Sequence, residues 1–162
     1  MTAFLKRIPV LWGLFVAAFL ITTAFVLLAP GVGGQYLDSL WSGEQAQALL
    51  AGMSPAQRST HFWITVLLDT AYPLAYGGFM AGMALRFFGR FGTLAALPAF
   101  ATIIVDLTEN TVQALALSGT VNVLDAKSWL TPLKFYLFDA AGIIAVIALV
   151  IAIVNVFRKK SA

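Results

Sequence analysis

The chain has no cysteine and a single histidine, His61. Disulfides, thiolate nucleophiles and thiolate metal sites are excluded, and zinc, haem or a Glu-x-x-His di-iron centre would lack its usual ligands. Charge is scarce too, with Asp, Glu, Lys and Arg at 10% of the 162 residues against 60% hydrophobic. No glycine loop carries the lysine or flanking strand that a nucleotide phosphate requires. These absences assign no cofactor and no metal ligand. A mean hydropathy of +0.90 lies far above soluble usage. It predicts one all-α, polytopic integral membrane domain. The net charge of +3 does not point to nucleic acid, because topology accounts for the basic residues.

Four apolar segments, about 10–29, 58–85, 94–117 and 133–157, are long enough to span a bilayer. The first follows Lys6 and Arg7, exceeds the apolar core of a signal peptide and lacks a convincing cleavage site, so it is expected to be a retained helix. Between the first two spans, residues 35–53 form a polar connector with an apolar edge of Trp41, Leu49, Leu50 and Met53, expected as a short interfacial helix. Ser54-Pro55-Ala56-Gln57 has the form of a capping box and opens the second span.

Four spans imply an antiparallel four-helix transmembrane bundle with both termini on one side. That side collects Lys6, Arg7, Arg86, Arg90, Arg158, Lys159 and Lys160 and no acid. The positive-inside rule therefore places both termini in the cytoplasm of a cell membrane, expected to be a bacterial inner membrane. Anionic lipid heads could bind the same basic clusters, but orientation alone explains them.

Asp106, Glu109, Asn110 and Gln113 fall at i, i+3, i+4 and i+7, one face of the third span. A carboxylate at the centre of a membrane helix costs about 2.5–3.5 kcal/mol on insertion scales, so something must meet these groups. Counting about 1.5 Å per residue from the outer helix ends puts Asp69, Asp106, Glu109 and Asp139 at matching depth. The second span adds a stripe of His61, Thr65, Asp69, Tyr72 and Tyr76, with Pro73 just below Asp69; the fourth adds Tyr136 and Asp139, with Lys134 near the mouth. The first span, with only Thr22 and Thr23 at depth, is expected to be a wall.

The expectation is an acidic, tyrosine-lined pocket in the outer half of the bundle. Crowded carboxylates at low dielectric cannot all ionise, which offers an acid beside a base. Asp106 and Glu109 form the expected pair, with Asp69 and Asp139 facing them. Tyr72, Tyr76, Asn110, Gln113, Tyr136, Lys134, His61 and Trp63 are the expected ligand contacts. Such a site suits binding, and conversion by proton transfer, of a lipid-like molecule of isoprenoid or sterol type entering from the membrane. The composition leaves open whether the chain is an enzyme. The same carboxylates serve a proton- or cation-coupled transporter or channel subunit, with dimerisation through the Gly78 and Gly82 spacing. A structural or assembly subunit is a third reading, weakened by the shortage of basic partners at depth. Membrane lipids, and a lipid-like molecule or a cation, are the expected partners.

Overall fold

The computed structural model describes residues 2–160, and all of its regular structure is helical, with no strand among the described residues. Three stretches, Ile8–Val32, Gly89–Ser118 and Leu124–Arg158, are long and apolar enough to cross a membrane. Their helices are α1 (Ile8–Leu28), α5 (Leu97–Ser118) and α6 (Lys127–Lys160). The connector carries α2 (Gly43–Gly52), and a continuous path over 55–87 consists of α3 (Pro55–Ile64), a π turn (Thr65–Asp69) and α4 (Thr70–Phe87).

Local chemistry sets the ends of these elements. α1 passes into a 3-10 turn over Ala29–Val32 and stops where Gly33 and Gly34 take φ of 86° and 88°, a left-handed region closed to most residues. The capping box forms: Gln57 N–H donates to Ser54 Oγ at 3.3 Å, and Ser54 N–H donates to Gln57 Oε1 at 2.9 Å. α5 ends on Gly119 at φ 77°. There Arg58 donates from Nε to Leu117 O and from Nη2 to Ala116 O, both at 2.6 Å, so its charge meets the negative end of that helix.

Two prolines decide what the helices present. Pro73 has no N–H to offer the carbonyl four residues back, which belongs to Asp69. The backbone widens into the π turn just before it, and the freed Asp69 carbonyl accepts from Asn110 Nδ2 at 2.7 Å. Pro132 behaves differently from expectation. The fourth span is expected to start at 133, just after this proline, yet α6 runs through it and begins at Lys127. The proline removes a single intrahelical bond, and the helix-forming chain on either side carries α6 past it.

α4 packs against α1, α5 and α6, and α5 packs against α6. α1 lies at the edge, with Leu11 its one buried residue. Gly78 and Gly82 face α1: a Cβ on Gly78 would come within 3.3 Å of Leu14, and one on Gly82 within 2.6 Å of Leu11 and 2.7 Å of the Leu5 carbonyl. The Gly78 and Gly82 spacing is thus occupied by α1 of the same chain.

The connector forms the expected short helix, α2, and packs on the ends of the longer helices. Leu37 and Ala46 are fully buried against Ala116, Leu117 and Leu124, which draws the 3-10 turn Leu37–Ser39 and α2 down over the Ser118 end of α5. Gly43 approaches so closely that a Cβ would meet Leu124 O at 2.6 Å, and its N–H donates to Ser128 Oγ at 3.1 Å. Trp41 stacks on Phe135 at a ring separation of 5.0 Å.

Gly82→Val is expected to lose about 1–3 kcal/mol through the wedge it drives between α1 and α4. Gly13→Val, where nothing lies within 4 Å of the new Cβ, is expected to change little. Unfolding midpoints in a mild detergent compare the two, and equal midpoints would contradict this packing.

Candidate functional site

Four residues on one face of α5 are buried together: Asp106, Glu109, Asn110 and Gln113. What meets them comes mainly from α6. Because that helix starts at Lys127, Lys127, Thr131 and Lys134 fall at i, i+4 and i+7 and form its inward face. Glu109 and Lys127, both 0% exposed, make an ion pair through Glu109 Oε1. Thr131 donates its hydroxyl to the same oxygen at 2.5 Å, and Lys134 Nζ lies 2.8 Å from Oε2. Glu109 is therefore held by two ammonium groups and a hydroxyl.

Lys134 bridges outward from this pair. It forms an ion pair with Asp38 and lies 3.6 Å from Asp106 Oδ1, while Tyr76 donates its hydroxyl to Asp106 Oδ2 at 2.6 Å. Asp38 sits on the Leu37–Ser39 turn, and its side chain is 33% exposed, so it links the buried groups to the surface. That turn is pinned by His61, whose Nε2 accepts from Leu37 N–H at 3.3 Å and whose ring meets Tyr36 edge-on. Tyr36, in the connector, donates to Phe25 O at 2.8 Å; burial and the Asp69 carboxylate both push its phenol above the ordinary range, which keeps it a donor.

Asp69 is 5% exposed, and its carboxylate has no hydrogen bond or ion pair among the described residues. Carboxylate oxygens of Asp38, Asp69 and Asp106 lie within 4.8 Å of one another. Gln113 reaches the same place, with Nε2 3.4 Å from Asp38 Oδ1, and its Oε1 is buried without a partner, as is Asn110 Oδ1. The centre therefore gathers four carboxyl groups against two lysines. Fully ionised, it carries two negative charges in excess, which a low-dielectric site must balance with protons or a bound cation.

The expected residues divide. Asp69, Asp106, Glu109, Tyr76, Asn110, Gln113, Lys134 and His61 are buried in or beside this centre. Tyr72 is half-buried at its edge, its hydroxyl hydrogen-bonded to that of Thr22 at 3.1 Å and its ring 5.0 Å from Tyr76. Asp139, Tyr136 and Trp63 do not join it. At about 100° per residue, Asp139 lies about 140° around α6 from Lys134, so the helix that turns Lys134 inward turns Asp139 away. Asp139 is exposed in a shallow apolar groove with Phe138, Gly142 and Ile143, and Tyr136 is 72% and Trp63 57% exposed.

Asp38 and Lys127, both outside the four expected spans, are the unexpected members of the centre. For Lys127 a signal existed: extending the α6 periodicity through Pro132 aligns it with Thr131 and Lys134. Asp38 had none, because its position depends on the burial of Leu37 and the His61 bond. The chain matches no family model, no curated protein and no solved structure.

Lys127→Met is expected to destabilise by about 3–5 kcal/mol, since it strips a buried carboxylate of a counter-charge. Lys127→Met with Glu109→Gln is expected to recover most of that loss. Detergent unfolding of both variants measures it, and a double variant no more stable than the single one would contradict the pairing.

Proposed function

We propose that the chain is a four-span protein of a bacterial inner membrane, antiparallel, with both termini cytoplasmic. The centre at Asp38, Asp69 and Asp106 binds a lipid-like molecule and exchanges protons with it. The basic side described by Lys6, Arg7, Arg86, Arg90 and Arg158 supports the orientation. The path over 55–87, at about 1.5 Å per residue, exceeds the roughly 30 Å of hydrocarbon and supplies the fourth span.

The reading rests on the Asp69 carboxylate, which belongs to a buried residue, has no hydrogen bond among the described residues and lies beside Asp106 and Asp38. A carboxylate placed there for packing alone would be expected to find a donor, as Glu109 Oε1 does in Lys127 and Thr131. Glu109 is assigned here to holding α5 against α6, and Asp69 takes its place beside Asp106 as the acid–base pair. Tyr76 orients the Asp106 carboxylate, and Lys134 supplies positive charge to a developing oxyanion or carboxylate. Access from the bilayer lies between α1 and α6, where Phe25, Tyr72, Tyr76 and Phe138 form a row of rings with centroids 5.7, 5.0 and 5.1 Å apart. Such a row suits an isoprenoid or sterol skeleton, which presents apolar surface along its length.

Protein purified in mild detergent is expected to carry an apolar compound detectable by mass spectrometry of its extract. Asp69→Asn and Asp106→Asn should retain it at least about tenfold less well, equivalent to about 1.4 kcal/mol, with unfolding midpoints near that of the parent. Equal retention in both variants would remove the proposal.

Ion coupling is the second reading, favoured by the excess of two carboxylates and by the partly exposed Asp38 above them. It predicts proton or cation flux in reconstituted vesicles that Asp69→Asn abolishes. Flat traces at every imposed gradient would dismiss it.

A further inference from the structure

A second feature lies at the opposite end of the helices from the connector. α1 and α6 both pack on α4, and neither packs substantially on the other. The gap between them opens into a groove of about 1090 Å³ floored by α4. Its inner part is apolar, with Leu11 from α1, Phe79 and Met83 from α4 and Leu149 from α6. Its outer part is polar and basic, with Arg86 from α4 and Asn155 and Arg158 from α6.

We propose that this groove is a binding site for an anionic phospholipid of the leaflet on the side of the termini. The polarity gradient carries the inference. From Phe79 to Arg86 the rise along α4 is about 10 Å, within the roughly 15 Å that half of a hydrocarbon core occupies. A phospholipid standing in the leaflet would thus place acyl chains against Phe79, Met83 and Leu149 and its phosphate between the arginines.

Arg86 is already oriented for this role. Nη1 donates to Lys6 O at 2.6 Å and the guanidinium lies 5.6 Å from the Phe87 ring centre, which leaves donors on the remaining nitrogens. Residues 1–16, 80–100 and 146–162 contain no Asp or Glu. Among the described residues of those segments no Asp or Glu side chain competes with a lipid phosphate for the two arginines. Orientation in the membrane accounts for basic residues at this end, but it does not require two of them, on separate helices, to share the mouth of an apolar groove. Basic pockets between membrane helices are recognised sites for acidic head groups.

The site does not depend on the Asp69 centre, and its test leaves that centre intact. The full chain is taken up in detergent micelles containing equal amounts of phosphatidylglycerol and phosphatidylcholine, and the lipid retained is read by native mass spectrometry. Phosphatidylglycerol is expected to be retained about tenfold over phosphatidylcholine, and R86Q/R158Q to lose that preference while K6Q/R7Q keeps it. Equal retention of the two lipids, or a preference that survives R86Q/R158Q, would overturn the site. Removal of the lipid by excess inorganic phosphate would also overturn it, as a free-anion site. Should R86Q/R158Q fail to fold, L149W decides, because it fills the apolar part and leaves both arginines: lost retention supports the proposal and full retention refutes it.

Discussion

The structure turns on the pairing of Glu109 with Lys127 and Lys134. Moving one such charge out of water costs several kcal/mol even after relaxation, and the cost is offset only when geometry is good and the remaining lone pairs are met. Here Thr131 and both lysines meet Glu109, so α5 and α6 have one register that satisfies the carboxylate. A slip by one residue would swing all three α6 groups about 100° away and leave a bare charge. The pairing thus fixes the face on which everything else is arranged. Lys134, once turned inward, becomes the bridge to Asp106 and Asp38.

A second constraint comes from Pro73. By removing one backbone donor it frees the Asp69 carbonyl, and Asn110 on α5 takes it up. The result ties the π turn of one helix to the polar face of another and holds Asp69 at the centre, while its own carboxylate stays without a donor. The Leu37–Ser39 turn closes the arrangement by lowering Asp38 onto the same point through Leu37 and His61. Local backbone defects and one buried leucine therefore do the positioning that a soluble enzyme assigns to loops.

Much of this was legible in the residues themselves. The spacing of Asp106, Glu109, Asn110 and Gln113 marked a helix face, and all four are buried on it. The stripe through His61, Thr65, Asp69 and Tyr76 held because the path over 55–87 stays helical through its π turn. Asp139 shows the limit of counting depth alone. Rise along a helix gives height but not azimuth, and the polar row of Lys127, Thr131 and Lys134 outweighs the pair Tyr136 and Asp139 in setting which side of α6 faces in. A span that starts only at 133 omits Lys127 and Thr131, and with Lys127 one of the basic partners at depth. Gly78 and Gly82 mislead in a similar way: small residues announce a close approach without saying whose, and α1 is the neighbour.

Two lysine side chains enter the acidic centre. Dipolar distance measurement by solid-state NMR tests it most directly, in bilayers, on protein labelled with 15N at lysine Nζ and 13C at Asp and Glu carboxyl carbons. Short-range coupling is expected from Lys127 and Lys134 to the Glu109 carboxyl carbon, and from Lys134 to that of Asp38. Lysine signals showing no coupling to any carboxyl carbon would contradict it.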